Sequence, residues 1–161
     1  MNLSIRKIRL EDLSAVVSML REFAVFENLS EYCTVTEKRL HNAMFSDGSV
    51  VEGLIASDTE KPVAFAIFYP NFSSFRGERG MHLEDIYIRP EYRGKSLGET
   101  LLKEIACIAS SRGFERIDFQ VLDWNIQAIG FYEKLGAVRN DDDRHFKFSD
   151  TAFAKLSEPP T

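Results

Sequence analysis

Apolar residues alternate with polar ones in some stretches of this chain, and in others they recur every three or four positions. Alternation predicts strands and the longer spacing predicts helices. Strands are therefore predicted over residues 3–9, 49–56, 62–69, 83–88, 116–122 and 145–148. Helices are predicted over 11–26, from a capping box at 34–37 to about Phe45, over 97–111 and over 126–135. The segments predicted to lack regular structure include a loop over 71–80 and a frayed tail over 157–161.

This order of elements predicts a single α/β domain over residues 1–161, in which helices cover both faces of a central mixed and twisted sheet. A chain of this length can bury a sizeable core without disulfides or metals. Its two cysteines, Cys33 and Cys107, show no metal-ligand spacing. We interpret them as free thiols and expect no metal.

The net charge is −5, and the lysines and arginines form no block along the chain. Binding to a nucleic-acid backbone needs a concentrated basic face, so we expect no nucleic-acid partner. The chain has no apolar run long enough to span a membrane, and its N-terminus lacks the pattern of a signal peptide. We therefore expect a cytoplasmic protein with no membrane partner. The negative charge is compatible with a small cationic substrate.

The stretch 83–98 runs an apolar strand into a basic, glycine-bearing turn and then into a helix. The first turn of a helix exposes unpaired N–H groups, and glycine lets the backbone approach an anion closely. Arg93 and Lys95 add positive charge, so this turn is predicted to bind phosphate. Glu84 and Asp85 stand just before it and suggest proton transfer beside a phosphorylated cofactor. By strand alternation Asp85 points away from the face of Glu84, so we interpret it as structural.

Two nucleotide-binding motifs do not fit this turn. Gly94-Lys95-Ser96 could end the pattern G-x-x-x-x-G-K-[ST], but the position where that pattern requires its first glycine is Arg89. A dinucleotide fold is also disfavoured, because no G-x-G-x-x-G opens an early βαβ unit.

Three separated motifs carry a resemblance to a known family: the strand 83–88, the turn 93–98, and a later segment with Asp123-Trp124-Asn125 and 130–137. Together they resemble the GCN5-related N-acetyltransferase (GNAT) family, and within it the diamine (spermidine/spermine) and thialysine acetyltransferases. The resemblance implies a GNAT-like domain whose strands splay apart at an acetyl-CoA site, and it implies a homodimer. It also implies acetyl transfer from acetyl-CoA to a primary amine of a small cationic metabolite, such as a diamine, polyamine or lysine analogue. The amine attacks directly in a ternary complex.

The resemblance assigns the cofactor site to three segments. Strand residues contact the pantetheine arm in the family, and here these are Ile86, Tyr87 and Ile88. The turn and the start of the helix bind the pyrophosphate, and here these are Arg93, Gly94, Lys95, Ser96, Leu97, Gly98 and Glu99. The far side of the cofactor is held by Asn125, Ile126, Gln127 and Ala128, and Tyr132 stands near the thioester sulfur. Ser96 departs from the family pattern, which has glycine there.

The catalytic roles follow from the chemistry of an amine. An alkyl ammonium has a pKa of about 10.4, so it must lose a proton before it attacks a thioester at neutral pH. We expect Glu84 to take that proton, directly or through a water, and the Ile86 N–H to stabilise the oxyanion. Tyr132 is expected to donate a proton to the departing thiolate. The alternatives are that Glu84 merely pairs with an arginine and that Tyr132 is a core aromatic residue.

Acceptor recognition departs from the diamine subgroup at two places. That subgroup has a Tyr-Glu pair at the end of the first helix, and the matching residues here are Phe26 and Glu27. A second acidic residue of the subgroup aligns with Arg144, which would repel a diamine or bind the carboxylate of an amino-acid acceptor of the thialysine type. The neighbouring run 141–143 is acidic, and it either takes over that role or forms a solvated loop.

Two other functions remain open from the sequence. One is acetylation of a protein amine, which an open acidic groove would favour. The other is a catalytically silent acyl-CoA-binding module. The presence of both Glu84 and Tyr132 counts against the silent module.

Overall fold

The structure, a computed structural model, describes residues 2–159. Met1 and the last two residues of the predicted frayed tail, Pro160 and Thr161, lie outside the described residues. The chain divides into two compact units, of which the first ends at Gln120 and the second begins at Val121. Each unit is described by itself below.

The first unit contains a five-stranded sheet and three helices. Its strands are β1 (Leu3–Lys7), β2 (Glu52–Asp58), β3 (Lys61–Ser73), β4 (Glu78–Ile88) and β5 (Ile117–Asp118). Its α-helices are α1 (Leu13–Phe26), α2 (Glu37–Phe45) and α3 (Leu97–Ser111), and single turns of 3-10 helix lie at Leu10–Asp12, Ser30–Tyr32 and Pro90–Tyr92. The second unit contains α4 (Ile126–Lys134) and α5 (Asp150–Leu156).

The strands lie in the order β1-β2-β3-β4-β5. Neighbouring strands are antiparallel except for β4 and β5, which run parallel. The sheet is therefore mixed, as the sequence predicts. The predicted hairpin is also confirmed, because β2 pairs with β3 along its whole length.

Each face of the sheet buries its own hydrophobic core. On one face α3 contributes Leu101 and Ile105, which pack with Phe68 and Met81 of the sheet. On the other face, which we call the α1 face, α1 and α2 contribute Val16, Met19 and Leu40, which pack with Phe65 and Tyr87. Helices cover both faces, as predicted. Phe65 and Phe68 are fully buried, and truncation of such a side chain to alanine typically costs about 3–5 kcal/mol.

A buried carboxylate fixes the entry into α1. Asp12 accepts hydrogen bonds from the Arg6 guanidinium at 2.5 and 2.8 Å and from the Arg9 backbone N–H at 2.7 Å. The bond from Arg6 holds the pKa of Asp12 below its usual value. Since Arg6 lies on β1, this pair anchors the start of α1 to the sheet, and the other end of the helix carries Phe26 and Glu27.

Several predicted boundaries are wrong. Helix α2 is capped by the Thr36 side chain, which accepts from the Arg39 N–H, and not by a box starting at Thr34. The predicted loop at 71–80 is largely strand, because β3 continues to Ser73 and β4 begins at Glu78. Cys33 and Cys107 are free thiols, as predicted.

The C-terminal part differs most from the prediction. The strand predicted over 116–122 is reduced to Ile117–Asp118, and within that segment these two residues pair with β4. Among the described residues, 145–148 form no strand, and the unpredicted helix α5 follows them. Alternation and aromatic content favour a strand, but a strand also needs a neighbour to complete its ladder.

Candidate active site

A break in register marks the middle of β4. Ile67 of β3 pairs with Asp85, whereas the next residue, Phe68, pairs with Leu83. Glu84 is therefore an extra residue that has no partner in the ladder, which defines a β-bulge. Bulges often lie next to active sites, where they redirect side chains.

The bulge places Glu84 and Asp85 on the same face of the sheet. Asp85 lies opposite Ile67, which belongs to the core of the α1 face. Glu84 contacts Tyr69, two residues beyond Ile67 on the same face. The expectation that Asp85 points away from Glu84 is therefore wrong, because the inserted residue interrupts the alternation on which it rests.

Glu84 is held by two aromatic side chains that the sequence did not single out. The Tyr69 hydroxyl donates to its Oε2 at 3.0 Å, and the Nε2 atom of His82 lies 3.4 Å from the same oxygen. The rings of Tyr69 and His82 contact each other at an interplanar angle of 36°, with centroids 5.0 Å apart. Within residues 2–159 the partners of Glu84 are thus a phenol and an imidazole, and not an arginine. About half of its side chain, 51%, remains exposed.

Asp85 has a markedly perturbed carboxyl group. Burial, together with the negative charges of Glu84 and Glu27, raises its pKa to about 6. Glu27 follows the last residue of α1, and burial raises its pKa too. Three carboxylates of this face, Glu27, Glu84 and Asp85, thus form what we call the acidic cluster. A cation would stabilise this group of like charges.

A second charged group on this face is fully compensated. Arg89 donates to Glu22 of α1 through two nitrogens, Nη2 to Oε1 at 2.7 Å and Nε to Oε2 at 3.0 Å, and donates to the Pro62 carbonyl at 2.8 Å. The Tyr87 hydroxyl lies 3.4 Å from Glu22. Hydrogen bonding to Arg89 lowers the pKa of Glu22. We call Glu22 and Arg89 the clamp, because they tie α1 to the end of β4.

The turn between β4 and α3 contains two residues in the left-handed region. Gly94 has φ 70° and Ser96, the residue before α3, has φ 60° and ψ 6°. Glycine adopts this conformation without strain, whereas an L-residue such as serine does so at a cost. The family resemblance predicts glycine at the position of Ser96, and the backbone conformation there favours glycine.

The two basic side chains of the turn are held by nearby groups. The Arg93 Nε atom donates to the Ile88 carbonyl at 2.8 Å, and its guanidinium lies 4.7 Å from the Phe26 ring centre and 5.7 Å from that of Tyr87. Lys95 donates to the Glu91 carbonyl at 2.8 Å. Arg93 thus links the turn to the end of α1. The aromatic ring of Phe26 provides the surface on which its guanidinium packs.

Beyond His82, β4 continues without its partner strand β5. The ladder between them consists of Met81 with Ile117 and His82 with Asp118. The positions predicted to contact the pantetheine arm, 86–88, follow this ladder on β4. A strand whose neighbour ends early can add an extended ligand through its backbone groups.

The second unit carries the other predicted site residues. Asn125 caps α4, because its side-chain oxygen accepts from the Ala128 N–H at 3.1 Å, and Ile126 and Gln127 lie in the first turn. Burial raises the pKa of Tyr132 to about 12. The Arg144 guanidinium donates to the carbonyls of Asp141 and Asp143 at 3.1 and 3.3 Å, within its own loop.

Comparison with known proteins identifies the fold and the chemistry. The model of the acetyltransferase (GNAT) family matches residues 14–137. This chain belongs to the GNAT family of acetyltransferases.

Two curated GNAT relatives are similar over most of their length. A thialysine N-epsilon-acetyltransferase of Mus musculus is 31% identical over 164 residues, which span 95% of this chain and 96% of that protein. The Caenorhabditis elegans thialysine N-epsilon-acetyltransferase is 33% identical over 137 residues, which span 85% of this chain and 84% of that protein. An Arabidopsis thaliana L-ornithine N5-acetyltransferase is 44% identical over 73 residues, or 45% of this chain and 32% of its own.

Solved structures show the same GNAT fold. An integron cassette protein from the mobile metagenome of V. cholerae superposes with a TM-score of 0.80 at 23% identity and covers 99% of both chains. An aminoglycoside acetyltransferase from an uncultured soil metagenomic sample superposes with a TM-score of 0.77 at 15% identity, over 92% of this chain and 97% of its own. At these identities the likeness concerns the fold.

The GNAT family uses acetyl-CoA, and the turn before α3 fits a pyrophosphate. A side chain at Gly94 would meet no atom within 4 Å, so that side of the turn is open. The first turn of a helix presents backbone N–H donors, so the start of α3 at Leu97 is suited to bind an anion such as phosphate. In residues 2–159, no helix is long and apolar enough to cross a membrane, and no group of three His, Cys, Asp or Glu side chains is arranged to hold a metal.

Proposed function

We propose that this GNAT protein transfers acetyl from acetyl-CoA to a primary amine of a small cationic metabolite, either a diamine or polyamine or a lysine analogue. The observation that carries the proposal is the acidic cluster at the bulge of β4. It concentrates negative charge on the strand to which the family resemblance assigns the cofactor. Such a cluster favours a cationic acceptor over a neutral one.

The proposed cofactor contacts are mainly backbone contacts. The N–H groups at the start of α3, from Leu97 to Glu99, bind the pyrophosphate, and the turn 93–96 surrounds it. The backbone of 86–88 binds the pantetheine arm as an added strand. The family resemblance also assigns cofactor contacts to residues 125–128, and this assignment remains a prediction. When bound, acetyl-CoA supplies the acetyl group as an activated thioester.

The acceptor must lose a proton before attack. A carboxylate of the bulge takes a proton from the ammonium group, while the exposed carboxylate of Glu84 contacts the amine. The nitrogen then attacks the thioester carbonyl directly, and the Ile86 N–H donates to the oxyanion. No covalent intermediate with the protein is needed.

Tyr132 is the proposed proton donor to the departing thiolate. Its raised pKa keeps the hydroxyl protonated at neutral pH, so a proton is available. A phenol with a pKa of about 12 is a much weaker acid than a thiol, whose pKa is about 8.5. Tyr132 therefore donates its proton to the thiolate in the same step in which it takes a proton from the newly acylated nitrogen. The phenol is thereby restored.

Two observations support an amino-acid acceptor among the cationic amines. The curated relatives named above act, by their names, on thialysine and on L-ornithine. Arg144 supplies a cation suited to an α-carboxylate, which a diamine lacks. A homodimer and a cytoplasmic location remain predictions from the family resemblance and the sequence.

A thiol-release assay tests the proposed function. The protein is mixed with acetyl-CoA and one acceptor at a time from four classes: diamines, polyamines, cationic amino acids such as ornithine and thialysine, and lysine-containing peptides. Release with a small amine, and an acetylated product of the matching mass, supports the proposal. Release with peptides alone identifies a protein acetyltransferase, and cofactor binding without release identifies the silent module.

The variant Tyr132→Phe separates catalysis from cofactor binding in the same assay. General acid catalysis typically contributes about 10²- to 10⁴-fold, so kcat should fall by about 10²-fold or more while the Kd for acetyl-CoA stays within about twofold. An unchanged kcat would remove Tyr132 as the proton donor.

A further inference from the structure

The bulge of β4 presents two carboxylates to one side of the sheet, although neighbouring residues of a regular strand point to opposite sides. Tyr69 pairs with His82, Ile67 with Asp85 and Phe65 with Tyr87. Cross-strand partners share a face, and Ile67, Phe65 and Tyr87 all belong to the core of the α1 face. The inserted Glu84 binds Tyr69, so it joins that face as well.

The two carboxylates differ in their surroundings. Glu84 is about half exposed, and one of its oxygens already receives the Tyr69 hydroxyl. Asp85 is only partly exposed, and the charges that act on it are the negative charges of Glu84 and Glu27. Glu84 is thus the more accessible carboxylate and is oriented by Tyr69, whereas Asp85, whose pKa is raised by burial and by the charges of Glu84 and Glu27, is suited to accept a proton.

Other charged groups on this face do not neutralise Asp85. Arg89 is bound to Glu22, and Arg93 lies over the rings of Phe26 and Tyr87. The titratable groups that interact on this face include Tyr69, His82, Glu84, Tyr87, Glu22 and Glu27, and β5 adds Asp118, which pairs with His82 in the ladder and is bound by Arg116. Helix α2 contributes the apolar Leu40 to the same face.

We propose that Asp85 is the proton acceptor of the reaction and that Glu84 is the residue that anchors the ammonium group. This assignment rests on the proposed function and goes beyond it, because the sequence alone marks Glu84 as the base. It gives the bulge a role, since a regular strand would place the two carboxylates on opposite faces of the sheet.

The proton balance of the step is simple. The ammonium N–H bond breaks, its proton moves to a carboxylate oxygen of Asp85, and its electron pair becomes the lone pair that attacks the thioester carbon. As the carbon–nitrogen bond forms and the carbon–sulfur bond breaks, the nitrogen loses a second proton and the departing thiolate gains one. Asp85 then returns its proton to solvent, so the reaction yields the amide, free coenzyme A and one proton.

The pH dependence of kcat/KM distinguishes the two carboxylates. The wild type should lose activity below a pH of about 6, because Asp85 must be ionised to accept a proton. In Glu84→Gln this acid limb should persist but shift to lower pH, since a like charge has been removed, while the KM for the amine rises. In Asp85→Asn the limb should vanish and kcat should fall by about 10²-fold or more at pH 7.

Asp85→Glu and Asp47→Asn serve as companion variants. Asp85→Glu restores a carboxyl group and should recover part of the activity and an acid limb. Asp47→Asn, an exposed carboxylate in the loop after α2, should retain the wild-type profile. If Asp85→Asn keeps the acid limb while Glu84→Gln loses it, the assignment is overturned and Glu84 is the base. If the wild type releases no thiol with any amine, the proposed function fails, and the assignment fails with it.

Discussion

The α1 face of the sheet carries two groups of charged residues, and the charges are compensated in one group but not in the other. In the clamp, Glu22 and Arg89 satisfy each other through two hydrogen bonds, and the pKa of Glu22 falls. In the acidic cluster, burial and the negative charges of Glu84 and Glu27 raise the pKa of Asp85. The first arrangement stabilises the fold. The second reduces stability at neutral pH and leaves a place for a cation.

The two groups lie at the two ends of a short segment of β4. Residues 84 and 85 form the bulge, and Arg89 follows the last residue of the strand. The clamp therefore holds the end of the strand that leads into the turn before α3. We infer that the compensated pair positions the strand and that the uncompensated cluster performs the chemistry. The predictions below test this division, from the largest expected effect to the smallest.

Removal of one member of the clamp should have the largest effect on stability. Arg89→Met leaves Glu22 without its cation, and breaking a fully buried pair in this way costs about 3–5 kcal/mol. Because the Glu22 side chain is 36% exposed, we expect a loss of about 2–3 kcal/mol in the free energy of unfolding. Urea unfolding at pH 7 measures it.

The double variant Glu22→Met/Arg89→Met is the control for the clamp. It removes both charges, so it should recover most of the stability that Arg89→Met loses. If the single and the double variant are equally unstable, the loss comes from packing, and the unpaired charge is not its cause.

Removal of a charge from the acidic cluster should instead raise the free energy of unfolding. The pKa of Asp85 is about 6 in the folded protein and about 3.9 in an unfolded chain, so the folded state binds more protons between these values. Stability therefore falls as the pH rises from about 4 to 6, and the penalty is complete above that. Asp85→Asn should be about 1–2 kcal/mol more stable than the wild type at pH 7, and no more stable below pH 4.

Unfolding curves of both proteins at pH 4, 5, 6 and 7 would measure this difference. The exposed control Asp47→Asn should show no such trend. A destabilised Asp85→Asn at pH 7 would mean that the carboxylate has a stabilising partner and is not in an uncompensated cluster.

A smaller local cost is expected at the turn before α3. Ser96 has φ 60°, and a left-handed L-residue costs about 1–2 kcal/mol, partly offset by the extra freedom of glycine in the unfolded chain. Ser96→Gly should therefore raise the free energy of unfolding by about 0.5–1 kcal/mol. Ser110→Gly, within α3, should lower it. A loss of stability in Ser96→Gly would show that the serine hydroxyl contributes more than the strain removes.

The smallest predicted effect concerns acceptor choice. Arg144→Glu should shift kcat/KM toward a diamine and away from a cationic amino acid by about two- to fivefold, because an exposed charge contributes at most about 1 kcal/mol. Arg139→Glu, on the same loop, should leave the preference unchanged. Equal shifts in the two variants would indicate a general effect of loop charge rather than recognition by Arg144.

Local patterns predicted most of the fold. Helix α3 begins at Leu97 and ends at Ser111, as the apolar spacing and the following Arg112-Gly113 indicate. The hairpin of β2 and β3 and the helices on both faces also follow from spacing. The bulge did not follow, because one inserted residue looks like ordinary alternation until the register with β3 is known.

Long-range pairs were equally hidden in the sequence. Glu22 and Arg89 are 67 residues apart, and Tyr69 meets Glu84 only through the register of β3 and β4. A single sequence gives no sign of which charges compensate each other. The motifs therefore indicated site roles for Glu84 and Tyr132, but they indicated none for Tyr69, His82 or the clamp.

The most direct test of the central claim is the pKa of the Asp85 carboxyl, followed by NMR with and without a saturating diamine or cationic amino acid in the absence of acetyl-CoA. We predict a pKa of about 6 in the free protein and a decrease of about one unit or more when the amine is bound, because a nearby cation favours the carboxylate. An Asp85 titration that stays the same at saturating amine would contradict the claim that this cluster receives the acceptor.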